Sequence, residues 1–185
     1  MDYLKLYDLE AYLFDVVRPA FQKDNKLSAF DFFCIIIWKA NRAKSKVALK
    51  LISRDSKSRK DLSQIVADLT QTIAKAKSDK ERMCILIEDW EFRLPMASAI
   101  LTICYPENFT VYDVRVCDEL GNHHSAQNKA RFNDLWSGYE AYLTDVKKKE
   151  PSVAVLRDKD RTLWAKSFEK QLNEDISTLF RKDGE

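Results

Sequence analysis

The chain is poor in residues that break or turn a backbone. Three glycines and four prolines in 185 residues leave little material for the tight turns of an all-β fold, so helices are the expected solution. Long apolar runs are missing as well. The longest, FFCIIIW at 32–38, falls far short of the roughly 20 residues a membrane span needs. Charges flank it, and it predicts a buried helix face. Cys34, Cys84, Cys104 and Cys117 show no CxxC spacing and lie in apolar surroundings, which argues against a zinc site and gives a disulfide framework no support. The two histidines, His123 and His124, fall in a predicted loop with no third ligand nearby and are expected to be exposed. Neither a metal nor a cofactor is expected. The N-terminal stretch MDYLKLYDLEAYLFD carries acids inside its apolar pattern and lacks the basic-then-apolar layout of a secretory signal. No membrane association and a cytoplasmic location follow as expectations.

What the chain does have is a balanced globular composition, 45% hydrophobic and 32% charged, with enough length for one well-buried core. No linker rich in Gly, Ser and Pro divides it, and there is no internal repeat or low-complexity tract. The expectation is one all-α domain over 1–185. The net charge of +2 hides an uneven distribution. Between Trp38 and Lys60 stand nine basic residues, Lys39, Arg42, Lys44, Lys46, Lys50, Arg54, Lys57, Arg59 and Lys60, against the single acid Asp55. Such a segment is either a solvated helix face or an attractive surface for a polyanion such as nucleic acid.

Apolar spacing predicts a first helix over 3–17, with Leu6, Leu9, Leu13, Val16 and Val17 on one face, Tyr12 beside them, and Pro19 bending or ending it. Ser28 suits the N-cap of a long helix from Ala29 to about Ser53, with Asp31 completing a box-like start. Further helices are predicted at about 60–77, 79–90, 95–105, 114–120, 128–148 and 159–181. Gly121 and Asn122 read as a helix stop, Pro151 ends the helix that precedes it, and VAVL at 153–156 suits a short extended piece.

The stretch LPMASAILTICYPENFTVYDVRVCDEL at 94–120 carries the most information. A helix at 81–90 and a connector at 91–94 lead to Pro95, placed where a first-turn proline is tolerated because its missing N–H is not required. Ala97, Ser98 and Ala99 keep the start of this second helix slim, and Asp113 opens the next one. Asp113 has two readings that do not exclude each other: helix N-cap and functional carboxylate.

This arrangement resembles the helix-hairpin-helix DNA glycosylase superfamily, in which a hairpin leads to an aspartate in the pattern V-D-x-x-V-x-R. Asp113 and Val116 fit that pattern, and Asp118 stands where its arginine would be. More closely, the chain resembles a group of short bacterial relatives of that superfamily, through WKANR at 38–42, LPMASAIL at 94–101, YDVR at 112–115 and RTLW at 161–164. The resemblance implies an all-helical, glycosylase-like fold with a helix-hairpin-helix element at about 81–105 and Asp113 facing a cleft. There its charge would stabilise oxocarbenium character at a flipped nucleotide. It further implies DNA as partner, with Trp38, Lys39, Arg42, Arg93 and Arg115 toward nucleic acid and Met96, Tyr112 and Trp164 toward a pocket. Ile100 occupies the approximate position of the Schiff-base lysine of lyase-capable relatives, so any activity would be monofunctional N-glycosidic hydrolysis. Met96, Ala97 and Ser98 replace the superfamily's glycine-rich phosphate-contacting turn. That departure keeps a second expectation open: a non-catalytic helical module that binds nucleic acid or a protein partner.

From residues alone, Trp38 and Trp164 read more readily as core than as base-stacking platforms. Arg115 reads as a phosphate contact or a surface ion pair. Tyr112 either closes the core or packs on a bound base.

Overall fold

The computed structural model describes residues 3–54 and 60–181, and among them every regular element is helical. The chain forms two compact units, Met1–Phe109 and Thr110–Glu185.

The first unit holds α1 (Tyr3–Tyr7), α2 (Leu9–Tyr12), α3 (Arg18–Asp24), α4 (Ala29–Ala40), α5 (Lys44–Arg54), α6 (Leu62–Lys75), α7 (Asp79–Cys84) and α8 (Leu94–Cys104). Pro19 does not end the opening helical run. A π-turn at Leu13–Val17 precedes it, and the ring follows as the second residue of α3, inside a helical run whose regular ladder the π-turn has already interrupted. Leu13 and Val17 are buried as the spacing predicted, whereas Val16 lies at the surface.

Ser28 caps α4, its hydroxyl accepting from the Asp31 N–H at 3.1 Å. The run at 32–38 then buries Phe32, Cys34, Ile35 and Ile36. Each large side chain among them contributes about 1.5–3 kcal/mol of transfer free energy. The single long helix expected from Ala29 to Ser53 is in fact two, separated by a 3₁₀ turn at Asn41–Ala43. Between Trp38 and Val47 the would-be buried face offers only Ala40 and Ala43, too little apolar surface to hold a continuous axis against the core. Val47 and Leu51, one turn apart, re-anchor α5. A capping box of Asp61 and Gln64 starts α6, with reciprocal bonds of 2.9 and 3.2 Å. The Thr70 hydroxyl on α6 accepts the Leu27 N–H at 2.9 Å and so ties down the loop before α4.

From α7 the chain continues through a second π-turn, Ile85–Asp89, and a short connector into α8. The connector is closed by Phe92 N–H donating to the Leu86 carbonyl at 2.8 Å, with Glu91 at φ 53°. This is the left-handed position at which helices commonly stop, here occupied by a residue with a side chain rather than by glycine. The LPMASAIL stretch opens α8, in which Leu94 and every residue from Ala97 to Cys104 are buried. A helix apolar on all sides belongs in a core, and its small residues let neighbouring backbones come near.

The second unit begins with a non-helical segment at 110–112, followed by α9 (Val114–Leu120), α10 (Phe132–Lys148) and α11 (Leu156–Ser177). Thr110, Val111 and Tyr112 are buried although no strand pairs with them, so their backbone groups need other partners. Tyrosines of α10 supply them. The Tyr139 hydroxyl accepts from the Thr110 N–H at 3.1 Å and donates to the Thr110 carbonyl at 2.7 Å. The Tyr142 hydroxyl donates to the Val111 carbonyl at 2.7 Å. Gly121, at φ 71°, ends α9 as the sequence predicted. The VAVL tetrapeptide forms no strand: a turn from the Glu150 carbonyl to the Val153 N–H feeds directly into α11. No helix among the described residues is long and apolar enough to cross a membrane.

Tyr142→Phe keeps the ring and orphans the Val111 carbonyl. We expect a loss of about 1–3 kcal/mol, read as a lower melting temperature by circular dichroism. An unchanged melting temperature would mean that the hydroxyl does not hold the segment.

Candidate functional site

Asp113 sits immediately after the tyrosine-clamped segment, half-buried, and it caps α9: its carboxylate accepts from the Arg115 N–H at 3.0 Å. The N-cap role read from the sequence is thus present, and the position of the carboxylate follows from buried backbone on one side and a helix start on the other. Tyr112, next to it, is fully buried. Its hydroxyl donates to the His123 carbonyl at 2.6 Å, and its ring packs at 5.1 Å on that of Tyr142.

Arg115 leans on α11. Its guanidinium carbon lies 5.3 Å from the ring centres of both Trp164 and Phe168, which are themselves stacked 5.4 Å apart at 9°. Contacts of this kind contribute about 0.5–1 kcal/mol at exposed sites. The Arg115 Nη1 atom is buried with no hydrogen-bond partner. Trp164 is 40% exposed, so the core placement expected for it does not hold. Trp38 is half-buried against Phe14, edge to face with ring centres 6.4 Å apart.

His123 departs from expectation. It is buried, not exposed, at φ 76°, with its Nε2 2.9 Å from an Asp145 oxygen and its ring edge-on to Tyr142. The carbonyl it presents to Tyr112 explains why the loop turns inward at this point. His124 is exposed beside Asp118 as expected.

Two further residues of this unit escaped the sequence reading. Asp160 is 2% exposed and pairs with Arg157 at 2.7 Å. Its spacing to Leu163 and Ser167 is that of one helix face, and this periodicity was the signal available: an acid on a buried stripe. Burial holds the Asp160 carboxyl above its ordinary value of 3.8, against the opposing pull of Arg157 and of the Val111 N–H.

In the first unit the predicted cations are better gathered than their spacing suggested. The Lys50 ammonium donates to the Glu91 carbonyl at 2.8 Å and lies 3.8 Å from the Glu91 carboxylate. Arg54 pairs with the same carboxylate. Both side chains of α5 are therefore pinned to the connector that ends in Arg93, the residue preceding α8. The Lys50 ammonium is held below its ordinary range, first by burial and then by the positive charges of Arg54, Lys46 and Arg93. Lys46, Lys50, Arg54 and Arg93 thus share one field, with Glu91 as the acid among them. Exposed ion pairs of this type stabilise by only about 0–1 kcal/mol each, so Glu91 matters more for position than for energy. Arg42 is exposed on the 3₁₀ turn, and Lys39, half-exposed, ends α4. Met96 lies half-buried in the first turn of α8, its N–H bonded to the Arg93 carbonyl at 3.0 Å. Lys60 pairs with Asp68 at 2.7 Å, while Asp55, Lys57 and Arg59 lie outside the described residues.

A cavity of about 470 Å³ opens in the first unit among Asp24, Leu27, Phe30, Asp31 and Ala67, and none of the predicted site residues lines it. Asp31, its candidate acid, is engaged by the hydroxyls of Tyr12 at 2.8 Å and Ser28 at 2.7 Å. The cysteines are free; burial pushes the Cys117 thiol up to about 11 and raises that of Cys34, which suppresses thiolate chemistry at neutral pH. Among the described residues no three His, Cys, Asp or Glu side chains are grouped to hold a metal ion. No protein family, curated protein or solved structure matches the chain.

Because the folded chain holds the Asp160 proton more tightly than the unfolded chain does, the stability this group contributes is present below its ordinary value of 3.8 and lost as pH rises through the raised value. Asp160→Asn removes that titration. Urea unfolding at about pH 4 and about pH 7 should show the wild type losing ground to the variant at the higher pH. A stability difference independent of pH would contradict the assignment.

Proposed function

We propose that this chain is a nucleic-acid-binding relative of the helix-hairpin-helix DNA glycosylase superfamily that holds phosphates through Lys46, Lys50, Arg54 and Arg93. Lys39 and Arg42 extend the contact along the α4–α5 turn. The observation that carries this reading is that Lys50 and Arg54 converge on Glu91, two residues from Arg93, with Lys46 one turn away on α5. Burial first, and then the neighbouring positive charges, lower the Lys50 ammonium. Like charges held together without enough counter-charge destabilise one another, and a polyanion relieves that repulsion while releasing its own counterions. In this reading the connector between α7 and α8 stands for the superfamily hairpin, with side chains in the role that glycine N–H groups have there.

Asp113 is the candidate for chemistry on the N-glycosidic bond. Its support is the cap geometry: one helix start orients the carboxylate, and the tyrosine-held segment leaves it little freedom. A fixed anion suits developing oxocarbenium charge because no reorganisation is needed at the moment of reaction. The departures from the superfamily pattern at Asp118, Met96 and Ile100 favour binding as the primary activity and hydrolysis without strand cleavage as the secondary one.

Binding should be read by fluorescence anisotropy on a short duplex across a salt series. Six phosphate contacts, counting Lys39 and Arg42, predict a log–log slope of about −5.4, and Lys46→Glu with Arg93→Glu should reduce its magnitude by about 2. Affinity independent of salt would remove phosphate contact by these cations from the account. For the chemistry, wild-type protein should release free base from a lesion-bearing duplex, and Asp113→Asn should slow release by about 10²–10³ with affinity unchanged. Equal rates in the variant would take Asp113 out of the mechanism.

A further inference from the structure

The second unit leaves one helix face uncovered. Asp160, Leu163 and Ser167 turn α11 toward its own unit, and no residue of the helix beyond Ser167 is buried. On the other side Trp164, Phe168, Leu172 and Ile176 recur every fourth residue and are 40, 41, 37 and 53% exposed. At about 100° per residue they form one slanting stripe, directed away from Leu163 and Ser167. Surface helices normally carry polar residues there, and a contiguous apolar patch of this kind marks an interaction surface.

Charge selects the occupant. Arg161, which also reaches Asp158 of its own helix at 3.4 Å, lies at the N-terminal end of the stripe and Asp175 at its C-terminal end, each seven residues from Phe168. From Arg161 to Asp175 the stripe is therefore self-complementary about Phe168, and Ile176 falls outside the contact. We infer that α11 pairs antiparallel with α11 of a second copy of this chain, Phe168 against Phe168, Trp164 against Leu172, and Arg161 against Asp175. A parallel pair would set Arg161 against Arg161 and Asp175 against Asp175, which repels. Glu169 and Asp175 beside the stripe disfavour an anionic lipid surface. Arg115 belongs to the same surface: its guanidinium lies over Trp164 and Phe168 and extends the stripe.

From Arg161 to Asp175 the contact is about 21 Å long. That puts it at the small end of specific interfaces, below about 1,200 Å², so the dimer is weak and depends on concentration. Sedimentation equilibrium on the full chain should show the mass rising from one chain toward two as concentration increases. Leu172→Glu, at an exposed position, should weaken association by at least about tenfold with helix content unchanged. Arg161→Asp and Asp175→Arg should each weaken it, and the two together should restore it. Under mild oxidation Phe168→Cys should form a disulfide between two copies of the variant through the introduced thiols, identified by the cross-linked peptide, whereas Ile176→Cys should not. A single-chain mass throughout the range, full association of Leu172→Glu, or cross-linking through position 176 would overturn the proposal.

Discussion

The second unit depends on burying three residues of backbone, 110–112, that belong to no helix and that no strand accompanies. Backbone N–H and C=O groups withdrawn from water must find partners, and a helical unit has none to offer from its own ladders. The tyrosine hydroxyls of α10 answer this at Thr110 and Val111, and the ring of Tyr112 closes over the inward-turned His123 carbonyl. Once the segment is pinned, the chain has one way to start α9, and Asp113 caps it. The candidate carboxylate is placed by hydrogen bonds several residues away from it.

A comparable economy governs the first unit. Glu91 takes a backbone position that favours glycine, and there its carbonyl and carboxylate meet Lys50 and Arg54. The connector, the last turns of α5 and the start of α8 are thereby brought into one electrostatic neighbourhood. Without Glu91 the cations of α5 would be spread along a solvated helix. With it, four positive charges lie near a single acid, which is the condition for attracting a polyanion.

Much of this was legible in the sequence because it rests on local rules. Ser28, Gly121 and Asp113 are read correctly as cap, stop and cap because their side chains, or the lack of one, act on backbone groups one to three residues away. The apolar run at 32–38 buries as its composition demands. What resisted reading depends on partners distant along the chain. The break at Asn41–Ala43 comes from an apolar face thinning out, a matter of how much surface the core can cover. His123 is buried because Tyr112, Tyr142 and Asp145 wait for it, and nothing in a His-His pair announces that. Asp160 could have been found from its spacing with Leu163 and Ser167, but only by treating an acid as a core position. The basic segment was visible as composition, whereas its focus on Lys46, Lys50, Arg54 and Arg93 required the fold of the connector.

The claim on which the functional reading turns is that the α5–connector–α8 corner is where nucleic acid sits. Titrating the isotopically labelled chain with a short DNA duplex and following its backbone amide resonances addresses this residue by residue. The account predicts saturable shifts concentrated at 44–54 and 91–96 that fade as salt is raised. Shifts confined to other parts of the chain, or none at concentrations where the duplex is bound, would contradict it.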